Sequence, residues 1–182
     1  MLRFVSRNGI ATSRGRRLAS VRELVSTRGG GQAITRSDWL LLFVTFEGAP
    51  DGLDPVRIQE GLFLFSQCPD SPPGSQYAFE PGIYGPISDE LDSDLDRLAD
   101  DGWIELVPVR GAHWSLHKPT DAAFDRARRI LRQTDDESLL DAIRELFEIK
   151  RYVSSVGFGD LLKRVYTEHP NFAVNSVFHR AA

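Results

Sequence analysis

The chain has 182 residues, a hydrophobic fraction of 41% and a charged fraction of 26%, proportions that suit one globular domain with a sizeable core. No apolar run approaches the ~20 residues that a membrane-spanning helix needs. A single cysteine, Cys68, excludes an intramolecular disulfide framework and fits a reducing, cytoplasmic interior.

The net charge of −4 is unevenly placed: residues 1–36 hold eight arginines against Glu23, a sum of +7, which leaves −11 for residues 37–182. That contrast predicts a mobile basic N-terminal arm over residues 1–36 and an acidic body over residues 37–182. Within the arm, Gly29-Gly30-Gly31 is a flexible break. Arg16–Val25 has the pattern of a short basic amphipathic helix, with Leu18, Val21, Leu24 and Val25 on one side. Three roles are open to the arm. It is an extension outside the fold, or it touches nucleic acid or the acidic body, or it is an arginine-rich organelle presequence.

The body opens with a helix from Thr35 to Glu47, where Thr35 and Asp38 have capping-box spacing. Apolar residues on more than one face of it imply deep burial. Asp54-Pro55 starts a second helix, with aspartate as cap and proline at the first position. It runs to about Gln67, and Gly61 inside it permits close packing. The prolines from Pro69 to Pro73 demand a loop, and Tyr77-Ala78-Phe79 is a short strand candidate.

Gly85-Pro86 then turns the chain into the stretch on which the reading rests. Ser88 is placed to cap a helix through its hydroxyl. Leu91, Leu95 and Leu98 form one apolar stripe, and Gly102 supplies the left-handed residue that ends it. Trp103–Val109 and Ala112–His117, split by Arg110-Gly111, read as a β-hairpin. Further helices are expected from Pro119-Thr120 to about Arg132, from a capping box at Thr134–Glu137 to about Val153, and from Asp160 to His169. Arg126, Arg128, Arg129 and Arg132 make the outer side of the first of these basic.

A short helix running into a hairpin is the centre of a winged helix-turn-helix. The expected fold is mostly α with a small β-hairpin wing (α+β): a winged helix-turn-helix-like core plus C-terminal helices. In such folds this helix normally enters DNA. Here it carries Asp89, Glu90, Asp92, Asp94, Asp96, Asp100 and Asp101 against Arg97, a net of −6. Nucleic-acid affinity rests on Lys and Arg neutralising phosphates, so this helix is repelled. Asp100 and Asp101 also sit at the helix C-terminus, where negative charge is unfavourable.

Catalytic and metal constellations are weak. His113 and His117 lie four apart, but on a strand and without further ligands, so two exposed wing histidines are the better reading than a zinc pair. The acids at 92, 94 and 96 lie on a continuous helix rather than in a calcium-binding loop. There is no phosphate loop, nucleophile elbow or dinucleotide fingerprint. No catalytic residue, cofactor or metal is expected.

The order of motifs resembles a known family. Arg57-Ile58-Gln59-Glu60-Gly61-Leu62-Phe63-Leu64-Phe65, Tyr77-x-Phe79-Glu80, Tyr84-Gly85-Pro86-Ile87-Ser88 and the leucine stripe through Gly102-x-Ile104-Glu105 are similar to the YwgA-type bacterial proteins. They are more distantly similar to the Panacea domain of SocA-like antitoxins. Phe158-x2-Leu161-Leu162-x2-Val165-Tyr166 and Pro170-x2-Ala173-x-Asn175-Ser176 extend the likeness, which covers roughly residues 38–178. Where the family often has Gln-Lys this chain has Gln59-Glu60, which removes a positive charge. The resemblance implies a small winged-helix-like domain without catalytic residues and, on the Panacea side, binding and neutralising of a toxin protein.

The leading expectation is a non-enzymatic protein-interaction module of antitoxin or regulatory type. It would bind a protein partner through the acidic helix and wing, with Tyr84, Asp89, Asp92, Asp96 and Asp100 as contacts. The alternative is a DNA-binding transcriptional regulator using Arg14, Arg16 and Arg17 of the arm, Arg110 at the wing tip, and Arg126 and Arg129 on the basic helix face.

Overall fold

A computed structural model describes residues 34–178. They fold into helices α1 (Arg36–Thr45), α2 (Pro55–Ser66), α3 (Asp89–Asp100), α4 (Asp121–Gln133), α5 (Glu137–Ser155) and α6 (Phe158–Glu168). Two antiparallel hairpins interrupt the series: β1 (Glu80–Gly82) with β2 (Gly85–Ile87), and β3 (Ile104–Pro108) with β4 (Ser115–Pro119). The fold is therefore mostly helical α+β. The expected arm residues Arg14, Arg16 and Arg17, and the amphipathic pattern over Arg16–Val25, lie outside the described residues.

α1 is the axis of the molecule. Every residue from Asp38 to Thr45 is buried, and α2, α3, α4, α5 and β4 all pack on it. Its start has the expected capping box: Thr35 accepts from the Asp38 N–H, and the Asp38 carboxylate accepts from the Thr35 backbone. A Cβ at Gly61 would overlap the Phe43 ring, so the missing side chain sets how closely α2 approaches α1. Arg57 ties the start of α2 to the end of α5 by donating to the Val153 carbonyl at 3.0 Å and the Val156 carbonyl at 3.1 Å. Those carbonyls lie in the last turn of α5 and just beyond it, where backbone acceptors lack helical partners.

Leu53, in the α1–α2 connection, forms an antiparallel bridge with His117 of β4. The β3–β4 hairpin is thereby fastened to the helical body through both His117 backbone groups, at 3.1 and 2.8 Å.

Several local expectations are corrected. The strand is Glu80–Gly82 rather than Tyr77–Phe79, and it pairs with Gly85–Ile87. Gly85-Pro86 is thus strand, with Gly85 at φ +116°. Proline is tolerated there because this two-stranded ribbon has no central strand. Asp136, not Thr134, caps α5, while the Thr134 hydroxyl bonds back to the Ile130 carbonyl. α6 begins at Phe158, and Pro170 opens a short 3-10 turn instead of only stopping a helix.

Candidate interaction face on the acidic helix and hairpins

The start of α3 is held by a side chain from another helix. Ser88 occupies the cap position, yet its hydroxyl caps nothing. The Gln59 amide instead holds the backbone at that position, accepting from the Ser88 N–H at 3.0 Å and donating to the Ser88 carbonyl at 3.2 Å and the Asp92 carboxylate at 2.8 Å. Asp92 is consequently half-buried, and burial raises its pKa against the lowering effect of the Gln59 hydrogen bond.

Of the seven acids counted on this helix, Asp94 is not part of its outer charge. It is 2% exposed and accepts from Arg36 Nε at 3.1 Å, the Tyr77 hydroxyl at 3.1 Å and Arg97 at 3.0 Å. A buried carboxylate with three donors is an organising group, not a surface charge. What remains outside is a stripe of Asp89, Ser93, Asp96 and Asp100, flanked by Glu90 and Asp101, all exposed. Positions 89, 93, 96 and 100 share one face by helical periodicity. The helix ends as a Schellman motif: the Trp103 N–H reaches the Leu98 carbonyl at 2.8 Å, the Gly102 N–H reaches the Ala99 carbonyl at 3.0 Å, and Gly102 sits at φ +75°.

The structure therefore groups Asp89, Asp96 and Asp100, turns Asp92 partly inward, and puts Tyr84 elsewhere. Tyr84 lies at the tip of the β1–β2 hairpin, 53% exposed, with its ring 6.0 Å from that of Phe178. Phe178 in turn stands 5.7 Å from Phe158. Ile83, Val174 and Val177 are also exposed, and the Val177 N–H donates to the Ile83 carbonyl at 3.3 Å. This apolar patch borders a cleft of about 400 Å³ lined by Phe158, Leu162, Tyr166 and Phe178.

The basic residues of the alternative reading scatter. Arg110 is exposed at the tip of the β3–β4 hairpin, and Arg129 is exposed on α4. Arg126 is partly exposed but paired, donating to the buried Asp38 from Nε at 3.1 Å and from Nη2 at 2.5 Å, with its guanidinium 5.6 Å from the Trp103 ring. Arg128 is engaged with Asp125 at 2.6 Å. The wing histidines differ from expectation too. His113 is exposed, but His117 is partly buried, and desolvation lowers its pKa despite the nearby Asp92, Asp96 and Asp54.

Two buried ionisable groups escaped the sequence reading as chemistry. Glu60 on α2 is fully buried, neither carboxyl oxygen has a hydrogen-bond partner among the described residues, and burial pushes its pKa up to about 9. A Cβ at Gly85 would overlap Glu60 Oε1, so the glycine makes room for this carboxyl. Lys150 on α5 is likewise fully buried without a hydrogen-bond partner, its Nζ 5.6 Å from the Phe43 ring, and burial lowers its pKa to about 7. Lys150 falls on the apolar stripe Ile143, Leu146, Val153 of α5, a spacing that marked it as inward-facing. Nothing comparable marked Glu60, because α2 is buried along most of its length.

Among the described residues no cluster of three or more His, Cys, Asp or Glu could hold a metal ion, and no helix is long and apolar enough to cross a membrane. Cys68 lies beside Glu145, and burial first, then that carboxylate, push its thiol up to about 11. Such a thiol is a poor nucleophile. No family model, curated protein or solved structure matches the chain.

Proposed function

We propose that this chain is a non-enzymatic, winged-helix-like interaction module that binds a basic protein partner through the outer face of α3 and the adjoining β3–β4 wing. The observation that carries the reading is the exposed stripe of Asp89, Asp96 and Asp100, bordered by Glu90 and Asp101. The one base of α3, Arg97, is already paired with the buried Asp94. A face of that charge steers a cationic surface toward it and repels phosphate.

The winged-helix assignment draws support from the order of elements. A helix, a bridging residue, two further helices and a hairpin follow one another, and Leu53 pairs with the returning strand of the hairpin. The β1–β2 hairpin is then an insertion between the second and third helices. The likeness of the Tyr84-Gly85-Pro86 stretch to SocA-like antitoxins favours a toxin-type protein as the partner. DNA binding through α4 is disfavoured because Arg126 is committed to Asp38.

Affinity capture from native lysate tests the reading. Full-length protein should retain a stoichiometric protein that resists nuclease and is lost with Asp96→Lys plus Asp100→Lys, two exposed changes that leave the core untouched. Retained material that disappears with nuclease, or capture unaffected by the double change, would overturn it.

A further inference from the structure

Two uncharged segments meet on one side of the molecule. Residues 81–88 span most of the β1–β2 hairpin, and residues 170–178 follow α6. Neither segment carries a charged side chain, although 26% of the chain is charged. The Val177 N–H donates to the Ile83 carbonyl at 3.3 Å, and the Asn175 amide donates to the Pro81 carbonyl at 2.8 Å. The two segments are thus bonded to each other, yet their apolar side chains stay outside. Ile83, Tyr84, Val177 and Phe178 are 51–55% exposed. Apolar side chains grouped in this way mark a surface that something covers.

The patch has relief. Tyr84 protrudes at the hairpin tip, and the Phe178 ring, 6.0 Å from it, is one wall of the cleft of about 400 Å³ that Phe158, Leu162 and Tyr166 complete. A protrusion beside a recess is what a two-fold axis makes self-complementary, because each copy offers its tip to the other's cleft. We infer that this face pairs with the same face of a second copy of the chain. Tyr84 of each copy sits against the cleft of the other, and Ile83 and Val177 pack around the axis.

Charge favours this occupant. Residues 37–182 sum to −11, so two copies repel where acidic surfaces such as the outer face of α3 meet. They approach at least cost through a face that carries no charge. A basic partner is drawn to the acids instead. Area sets the strength. Large side chains present about 150–250 Å² each when fully exposed, so four half-exposed ones and the cleft walls offer roughly 500 Å² per copy. Two copies then bury roughly 1,000 Å², the lower bound for a specific interface. The pair is therefore a weak dimer that forms and dissociates with concentration. The inference goes beyond the proposed function and does not depend on it.

Sedimentation equilibrium of the full-length protein, from low micromolar to several hundred micromolar, tests it. The mass should move from monomer toward dimer and stop there. Tyr84→Ser and Phe178→Ser, made separately at half-exposed positions, should each weaken the dimer at least about tenfold, the scale of losing an interface aromatic. Circular dichroism of the dilute variants should match that of the parent. A second measurement locates the contact. Protein labelled with 15N is mixed with an unlabelled copy carrying Cys68→Ser and a nitroxide on Ile83→Cys, and the amides of residues 158–167 should be attenuated across molecules. A monomer at every concentration, masses that grow past the dimer, or a dimer indifferent to both serine variants overturns the inference. So does attenuation centred on α3 or α4. A protein that stays monomeric but captures a different protein through Tyr84 and Phe178 overturns it as well, by giving the face to another occupant.

Discussion

Gln59 and Ser88 are paired in both directions: the glutamine oxygen accepts from the serine N–H at 3.0 Å, and the glutamine nitrogen donates to the serine carbonyl at 3.2 Å. One side chain of α2 thereby fixes where α3 begins. Ser88 is 2% exposed, so water does not readily replace the amide. Gln59→Leu should cost about 1–3 kcal/mol, the scale of leaving one buried donor, the Ser88 N–H, unsatisfied, since the Ser88 carbonyl keeps the Leu91 and Asp92 N–H groups. Urea denaturation measures the loss, and hydrogen exchange at Leu91 and Asp92 should accelerate. A change under about 0.5 kcal/mol would mean that the start of α3 is held by other contacts.

The same pair shows what was legible in the sequence. The body and end of α3 follow from local chemistry, a leucine stripe within it and Gly102 after it, whereas the turn expected before it is a strand. The start of α1 and of α2 was equally local, because Thr35, Asp38, Asp54 and Pro55 act within one turn. The role of Gln59 was not, since its partner lies 29 positions away. Asp94 was misread for a similar reason. The helix around it is rich in acids, of which Asp89, Glu90, Asp96 and Asp100 face water, and the donors Arg36 and Tyr77 that draw it inward come from other segments. The β1–β2 hairpin was hidden because three-residue strands have no periodicity to read.

Glu60 should make stability fall with rising pH. Burial raises its carboxyl from 4.5 to about 9, so between those values the folded state binds a proton that the unfolded state has released. This contribution is fully present below pH 4.5 and is lost as pH climbs toward 9. Glu60→Gln removes the titration while keeping the shape. Relative to the variant, the parent should weaken steadily between pH 5 and pH 8.5 in urea denaturation. Parallel pH profiles for the two proteins would show that the carboxyl ionises freely in the fold.

Lys150 should act in the opposite direction. Burial lowers its amine from 10.5 to about 7, so across that window the unfolded chain holds the extra proton. Its contribution is present above pH 10.5 and is lost as pH falls through 7. Lys150→Met fills similar volume without the charge and should stabilise the protein by on the order of 2 kcal/mol near pH 6, the scale of an unpaired buried polar group. The gain should shrink toward pH 10. A destabilised Met variant at every pH would mean that the amine has a bonded role in the core.

Arg126 and Arg129 separate the structural use of α4 from its nucleic-acid reading. Arg126 neutralises Asp38, which is 7% exposed and completes the α1 capping box. Arg126→Ala should cost about 1–2 kcal/mol, between the values for exposed and fully buried pairs, because its own side chain is partly solvated. Arg129→Ala, at an exposed position, should stay within about 0.5 kcal/mol of the parent. Duplex DNA titrations at two salt concentrations complete the comparison. If α4 contacted phosphate, each arginine lost would weaken binding and reduce the slope of log affinity against log salt by about 0.9. The expected outcome is a stability loss at Arg126, none at Arg129, and no salt-dependent DNA affinity assignable to either.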